Sequence, residues 1–462
     1  MSATPDPLLI FHGTFIHSTA PQTLHILQDA LLAVSVPSTR ILLLQPNIPY
    51  SSVLETLVSS GINIDIETTT IRRLAHGQLL IPGLVDTHNH APQYLQRGLG
   101  QGMHILDWLS QITFPQEARF ADETHARDVY PRLVRSLLRQ GITTACYYAS
   151  IHPVATAVLA ETCLAQGQRA LIGKCSMDNQ ETCPEIYREP SSEEALAAVK
   201  ETIAAVRKLD PDGTLIRPIL TPRFAISCTS TLLSSLGNLA EEESLPVQTH
   251  FNEAQQEIDA TLSLFPDFKS EVDLYSSFKL LTPRTILAHC TIMKGDETKR
   301  LADLGCGVAH CPTANMTVGG GFMAAPVREF LDRGIKVGLG TDSGGGYSSS
   351  MLDAMRHSLI ASFSREALHP DGAGSGLSLD EVFYMATLGG ARVTGLGDQI
   401  GNFEVGKQFD ALVLDMRSER QGVNAPVESD DSPRTILDKF IMTGDDRNLS
   451  DVFIRAKSVL SS

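Results

Sequence analysis

Leu79-Leu80-Ile81-Pro82-Gly83-Leu84-Val85-Asp86-Thr87-His88-Asn89-His90 is an apolar run that closes on two histidines two residues apart. Alternate side chains of a strand share a face, so His88 and His90 point the same way, roughly 6.6 Å apart at about 3.3 Å rise per residue. A slight bend brings both imidazoles to one metal ion. Alone, such a pair is more often solvated than metal-bound. Three later apolar runs raise its weight, because each also stops at a chemically capable residue. They are Val247-Gln248-Thr249-His250-Phe251-Asn252-Glu253, Ile286-Leu287-Ala288-His289 and Val337-Gly338-Leu339-Gly340-Thr341-Asp342.

Outward from this stretch the pattern changes on either side. Residues 8–80 hold short β-type pieces such as Leu8-Leu9-Ile10-Phe11 and Ile41-Leu42-Leu43-Leu44, broken by Pro, Ser and Thr turns. From residue 81 apolar runs alternate with helix-like segments. Ser191 and Glu194 fit a capping box ahead of Leu196, Val199, Ile203 and Val206, and Asp210-Pro211 stops that helix. Ser378 and Glu381 form a second box ahead of a helix over 382–391. Between the helices lie eight strand candidates: 81–87, 142–148, 169–175, 215–220, 246–250, 285–289, 307–310 and 336–342. Eight βα units predict a (β/α)8 TIM-type barrel over 81–399, with its active site at the C-terminal ends of the strands. After residue 400, Gly401 to Asp415 returns to hairpin-like β character. The expectation is a small β-sandwich domain built from both ends, 1–80 plus 400–462. Glu428 to Pro433 is acidic and turn-rich, and reads as a solvated loop.

Length and composition bound the function. A chain of 462 residues, 42% hydrophobic and 19% charged, can bury a large core and is neither disordered nor fibrous. Its net charge of −16 repels phosphates and anionic head groups, which argues against nucleic acid and membrane surfaces and permits a neutral small molecule. The eight cysteines are scattered without a Cys-x-x-Cys pair, as expected for reduced thiols in the cytosol. No signal-type segment or run of about 18 apolar residues is present, so a soluble cytoplasmic protein is expected.

If the four runs end at one barrel mouth, His88, His90, His250 and Asp342 converge on a single divalent ion with His289 close by. Neutral imidazoles plus one carboxylate suit Zn²⁺, with a position left for water. The His-Glu-x-x-His signature and the Cys-based set of zinc nucleobase deaminases are absent. Lys174, near the end of the 169–175 strand, is open to two readings at this point, a carbamylated lysine bridging two metals or a structural residue. Gly319-Gly320-Gly321 and Gly344-Gly345-Gly346 lack the spacing and lysine of a phosphate loop, and read as places of close backbone approach or loop motion.

The order His-x-His, His, His, Asp over eight βα units resembles the amidohydrolase superfamily, and nearly the whole chain is similar to its guanine deaminase branch. The superfamily resemblance is carried by Pro82 to His90, Thr249 to Glu253, Ala309-His310-Cys311-Pro312, Gly338 to Gly345 and Gly401 to Lys407. Narrower pieces point to the branch: Gln93-Tyr94, Asp107-Trp108-Leu109, Thr113-Phe114-Pro115 and Arg223-Phe224.

The resemblance implies one Zn²⁺ per subunit on His88, His90, His250 and Asp342, with Glu253 as proton shuttle and Lys174 a structural residue. It also implies guanine and water as substrates, and suggests a homodimer. Hydroxide attack at guanine C2 would leave xanthine and ammonia. Asp342 would take the water proton, Glu253 would protonate N3, and His289 would stabilise developing charge. Gln93 offers a donor and an acceptor to a purine edge, and Arg223 a donor fork suited to O6 and N7. Phe224 is placed to stack on the base and Trp108 to wall the pocket, though core packing explains either equally well. The same machinery acting on a triazine, a pterin or an adenosine-type base is the neighbouring reading. A scaffold that has lost its chemistry is disfavoured because every position above is intact.

Overall fold

In the computed structural model the described residues are 7–65, 69–318, 323–368, 376–417, 419–420, 422–424 and 426–460. The N-terminal part supplies β1 (Leu8–Ala20), β2 (Thr23–Ser35), β3 (Ile41–Gln45), β4 (Ile71–Arg73) and β5 (Gln78–Pro82). The middle of the chain supplies β6 (Leu84–His90), β7 (Ile142–Tyr148), β8 (Arg169–Gly173), β9 (Cys175–Ser176), β10 (Ile216–Pro218) and β11 (Thr221–Pro222). It continues with β12 (Val247–Phe251), β13 (Thr285–His289), β14 (Gly307–His310) and β15 (Lys336–Leu339). The C-terminal part adds β16 (Ala411–Asp415), β17 (Leu449–Ile454) and β18 (Lys457–Ser458).

Strands from both ends pair into one eight-stranded sheet, ordered β18-β17-β16-β5-β1-β2-β3, with β4 against β1. The sequence predicts a sandwich here; the ladder is a single sheet with apolar side chains on both faces. Alternation along β1 explains this, since Phe11 and Phe15 pack with Phe409 and Phe453 while Ile10 packs the other way, against Val53 and Leu57.

The first predicted barrel strand is cut in two. β5 pairs with β16, and β6 begins the next sheet. Gly83 makes the crossing, because a Cβ there would lie 2.2 Å from Thr143 Oγ1, and no larger residue fits so close to β7. Arg169, at the start of β8, ties the two regions together. It donates to Asp410 at 3.0 Å and to Gln408 at 2.7 Å, with both ion-pair partners buried.

The middle strands form two four-stranded parallel sheets, β10-β8-β7-β6 and β12-β13-β14-β15, with β9 and β11 paired beyond the first. Hydrogen bonds join both seams between them. Leu220 bridges to Val247 on one side; on the other, Asp342 N donates to His88 O at 2.9 Å and Thr87 Oγ1 to Leu339 O at 2.9 Å. Val85, Cys146, Leu171, Ile286 and Ala309, from β6, β7, β8, β13 and β14, meet Ile219, just past β10, in one buried cluster. The outer faces carry helices such as Glu123–Arg139, capped by Asp122, and Ser192–Leu209, capped by Ser191. Ser378 and Glu381 form the reciprocal box as predicted. Their α-helix ends at Tyr384, and the chain then passes through a π turn to a short helix at Gly390–Val393. No helix of the described residues is long and apolar enough to cross a membrane, and all eight cysteines are buried and unpaired.

Candidate active site

Parallel strands put their C-terminal ends on one side, and the site residues gather there. His88 and His90 close β6, His250 lies near the end of β12, His289 ends β13, and Asp342 follows β15 by three residues. His90 Nε2 and His250 Nε2 approach to 3.1 Å, and Asp342 Oδ1 lies 3.3 Å from His88 Nε2 and 3.5 Å from His90 Nε2. Glu253 Oε1 is 3.6 Å from His289 Nε2. His289 (φ 72°), Asp342 (φ 45°) and Asn252 (φ 46°) adopt the left-handed region that non-glycine residues avoid. These conformations turn the chain sharply where each strand ends and deliver the side chains inward, at a cost of order 1–3 kcal/mol each.

The donor set fits a divalent metal ion. Two Nε2 atoms at 3.1 Å cannot both carry a proton, and His88 has no hydrogen-bond partner on either ring nitrogen among the described residues. His250 Nδ1 bonds Arg223 O at 2.6 Å, which leaves its Nε2 lone pair for the centre. Burial, reinforced by the neighbouring positive groups, holds His88, His90 and His250 well below the usual imidazole pKa and so keeps them neutral. Cys311 also lies near His88 and His289. Burial pushes its thiol well above the ordinary value, so it is protonated before any ion binds.

A layer behind these groups escaped the sequence reading. Asp86 accepts from Thr341 N at 2.9 Å, Thr341 Oγ1 at 2.6 Å and Asn89 Nδ2 at 3.0 Å, tying the His88 strand to the Asp342 turn. Burial raises its pKa to about 6. Asn315 Oδ1 accepts from His289 Nδ1 at 2.8 Å. That bond fixes the proton on Nδ1 and turns an Nε2 lone pair toward Glu253. Burial and the nearby Asp342 push Glu253 up to about 8.

The predicted pocket residues line one cavity with His90, His250, Glu253 and Asp342: Gln93, Arg223, Phe224 and Trp108. Phe224 stands edge-on to His250, ring centres 5.6 Å apart. Trp108 both walls the pocket and packs, with Nε1 donating to Leu99 O at 3.1 Å. Arg223 and Gln93 share a buried partner that sequence reasoning missed, Glu117. Burial opposes the Arg223 charge, yet Glu117 beside it outweighs that and leaves the guanidinium pKa raised. Lys174 lies apart from the cluster, donating to Glu189 and to Cys175 O. Gly344 and Gly345 press against Gln93 and Asp342, the close approach expected of them. Gly319 to Gly321 lie outside the described residues.

The amidohydrolase family model matches residues 79–459. The chain belongs to the amidohydrolase family. Members of this family are metal-dependent hydrolases, in keeping with the donor set above. The chain is similar to the probable guanine deaminase of Schizosaccharomyces pombe, 42% identical over 97% of this chain and 83% of that protein. It is 40% identical to the guanine deaminase of Mus musculus, over 99% of this chain and 98% of that one. Among solved structures, the guanine deaminase of C. acetobutylicum with bound guanine in the active site superposes with a TM-score of 0.85. That match is 30% identical and covers 98% of this amidohydrolase and all of the other chain.

Proposed function

We propose that this protein hydrolyses guanine to xanthine and ammonia at the site described, with one Zn²⁺ per chain held by His88, His90, His250 and Asp342. The observation that carries the reading is the convergence, in one buried pocket, of unprotonated imidazole nitrogens and a carboxylate with Gln93 and Arg223 on the wall. Full-length similarity to guanine deaminases supports the choice of ring. The two parallel sheets are read as halves of one (β/α)8 barrel over 81–399. The terminal segments, 1–80 plus 400–462, are read as one small β domain built on the single sheet that they share. A cytoplasmic homodimer completes the proposal.

When bound, the ion lowers the pKa of a water toward about 7, so hydroxide is available near neutral pH. Asp342 takes the water proton as the oxygen adds at guanine C2. His289 receives a different role from the one the sequence suggests. With its proton held on Nδ1 by Asn315, its Nε2 accepts the second O–H of the water and aims the oxygen at C2. Glu253 gives a proton to N3, the proton held by Asp342 passes to the departing amine, and the C2 hydroxyl returns its proton to Glu253, so that C2 loses NH3 and keeps the oxygen as a carbonyl. Arg223 donates to O6 and N7, Phe224 covers the ring, and Trp108 closes the pocket against water.

The test is ammonia release by metal-replete protein against guanine, adenine, cytosine, guanosine and a pterin, repeated with Glu253→Gln. Turnover of guanine alone, abolished in the variant, is expected. Turnover of a different ring would refute the substrate assignment, and full activity of the variant would refute the role of Glu253.

A further inference from the structure

Glu117 lies on the short helix Phe114–Ala118 and is 1% exposed. Oε1 accepts from Gln93 Nε2 at 2.7 Å and from Arg223 Nη2 at 3.1 Å, and Oε2 accepts from Arg223 Nη1 at 2.5 Å. A carboxylate only accepts, so the Gln93 amide must turn its NH2 toward Glu117 and its carbonyl away. That carbonyl oxygen is buried without a partner among the described residues. It rests against Gly344, where a Cβ would come within 2.0 Å of it. The same carboxylate uses one hydrogen on each terminal nitrogen of Arg223. The guanidinium sits over the Phe114 ring at 5.3 Å, and its Nε is buried with no partner among the described residues.

We propose that Glu117 is a positioning residue that sets base selectivity, fixing Gln93 with its carbonyl presented and Arg223 with its fork presented. The inference rests on the guanine reading above. Guanine shows an N1–H beside a C6 carbonyl, a donor next to an acceptor, which complements a carbonyl at Gln93 and a fork at Arg223. 2,6-Diaminopurine keeps the 2-amino leaving group but reverses both signs, with an acceptor at N1 and a donor at C6. Lone pair then faces lone pair, and donor faces donor. A glutamine at 117 can both donate and accept, so it releases the Gln93 amide to flip and meet an N1 acceptor.

The experiment compares kcat/KM for guanine and 2,6-diaminopurine in the metal-replete wild type, Glu117→Gln and Glu117→Asp. The wild type is expected to favour guanine by about 10³-fold or more, since a site built for hydrogen bonds rejects a mispaired analogue strongly. Glu117→Gln narrows that ratio at least tenfold, the guanine value falling while the diaminopurine value holds or rises. Glu117→Asp remains acceptor-only and keeps the ratio within threefold, whatever its overall rate. A ratio unchanged in Glu117→Gln, both substrates falling together, overturns the proposal, as does an equal collapse in Glu117→Asp. If Glu117→Gln does not fold, Gln93→Met, which lacks the carbonyl, must narrow the ratio; an unchanged ratio there also overturns it. A wild type that ignores guanine defeats the functional reading itself and this inference with it. An active wild type with an unmoved ratio defeats only this inference.

Discussion

Replacing Asn315 by leucine isolates the part of catalysis that depends on the orientation of His289. Asn315 is 1% exposed, and its Oδ1 is the partner of His289 Nδ1, at 2.8 Å. Leucine has similar bulk and cannot accept a hydrogen bond. The variant therefore leaves a buried N–H unpaired, a penalty of about 1–3 kcal/mol. The imidazole relieves part of it by turning, or by moving its proton to Nε2, and either change removes the lone pair from the water. With 1.36 kcal/mol per tenfold in rate, a penalty felt fully in the barrier lowers kcat roughly 5- to 150-fold. KM should move little, because Asn315 is not on the pocket wall. Asn315→Asp keeps an acceptor and should retain more activity than the leucine variant. The assay is steady-state conversion of guanine to xanthine followed by absorbance, with metal per chain measured in parallel. A leucine variant with full metal and kcat within twofold of wild type would refute the reasoning, as would a loss confined to KM.

Other perturbations test other parts. Chelation should abolish turnover and lower the melting temperature, and added Zn²⁺ should restore both, because an ion bound only to the folded state stabilises it by mass action; calorimetry of stripped and reloaded protein reads this, and a stripped enzyme of full activity contradicts it. Gly237→Ala in the helix Ser230–Glu242 would place Cβ 1.7 Å from Phe278 O. Helix propensity gains about 1 kcal/mol and the backbone clash costs about 1–3 kcal/mol or more, so the urea midpoint should fall. Burial opposes the Asp210 charge, yet hydrogen bonds from Leu215 N and Ile216 N, at 2.7 Å and 3.0 Å, outweigh it and hold its carboxyl below the usual range. A lowered folded pKa contributes stability above the unfolded value of about 3.9 and loses it as pH falls through the folded one. Asp210→Asn should thus flatten the acid limb of the stability curve below about pH 4, and equal slopes in denaturation from pH 3 to 7 would refute it.

Much of this site is legible in sequence because strand ends are local events. The strands at 142–148, 285–289 and 307–310 match their predicted bounds. His88, His90, His250, His289 and Asp342 all sit where apolar runs stop. What escaped is non-local or conformational. Glu117 and Arg223 are 106 residues apart, Asp86 and Thr341 are 255 apart, and no periodicity links such pairs. Asn315 occupies an ordinary helix, and only the fold brings it to His289. The left-handed conformations of Asn252, His289 and Asp342 fall on residue types enriched there, but those types recur along the chain and do not by themselves mark these positions. The strand break at Gly83 is set by Thr143, a neighbour on the next strand, and so could not be read from the run it interrupts. The helix over 382–391 gave way to a π turn where Gly389 and Gly390 press against Val337 and Val85, tertiary packing overriding local pattern.

Mass analysis of the product formed in H2¹⁸O tests the central claim most directly. Hydrolytic replacement of the 2-amino group predicts consumption of guanine, one ammonia released for each xanthine formed, and a single ¹⁸O at C2 of the xanthine. Guanine left intact, or xanthine formed without the label, would contradict the account.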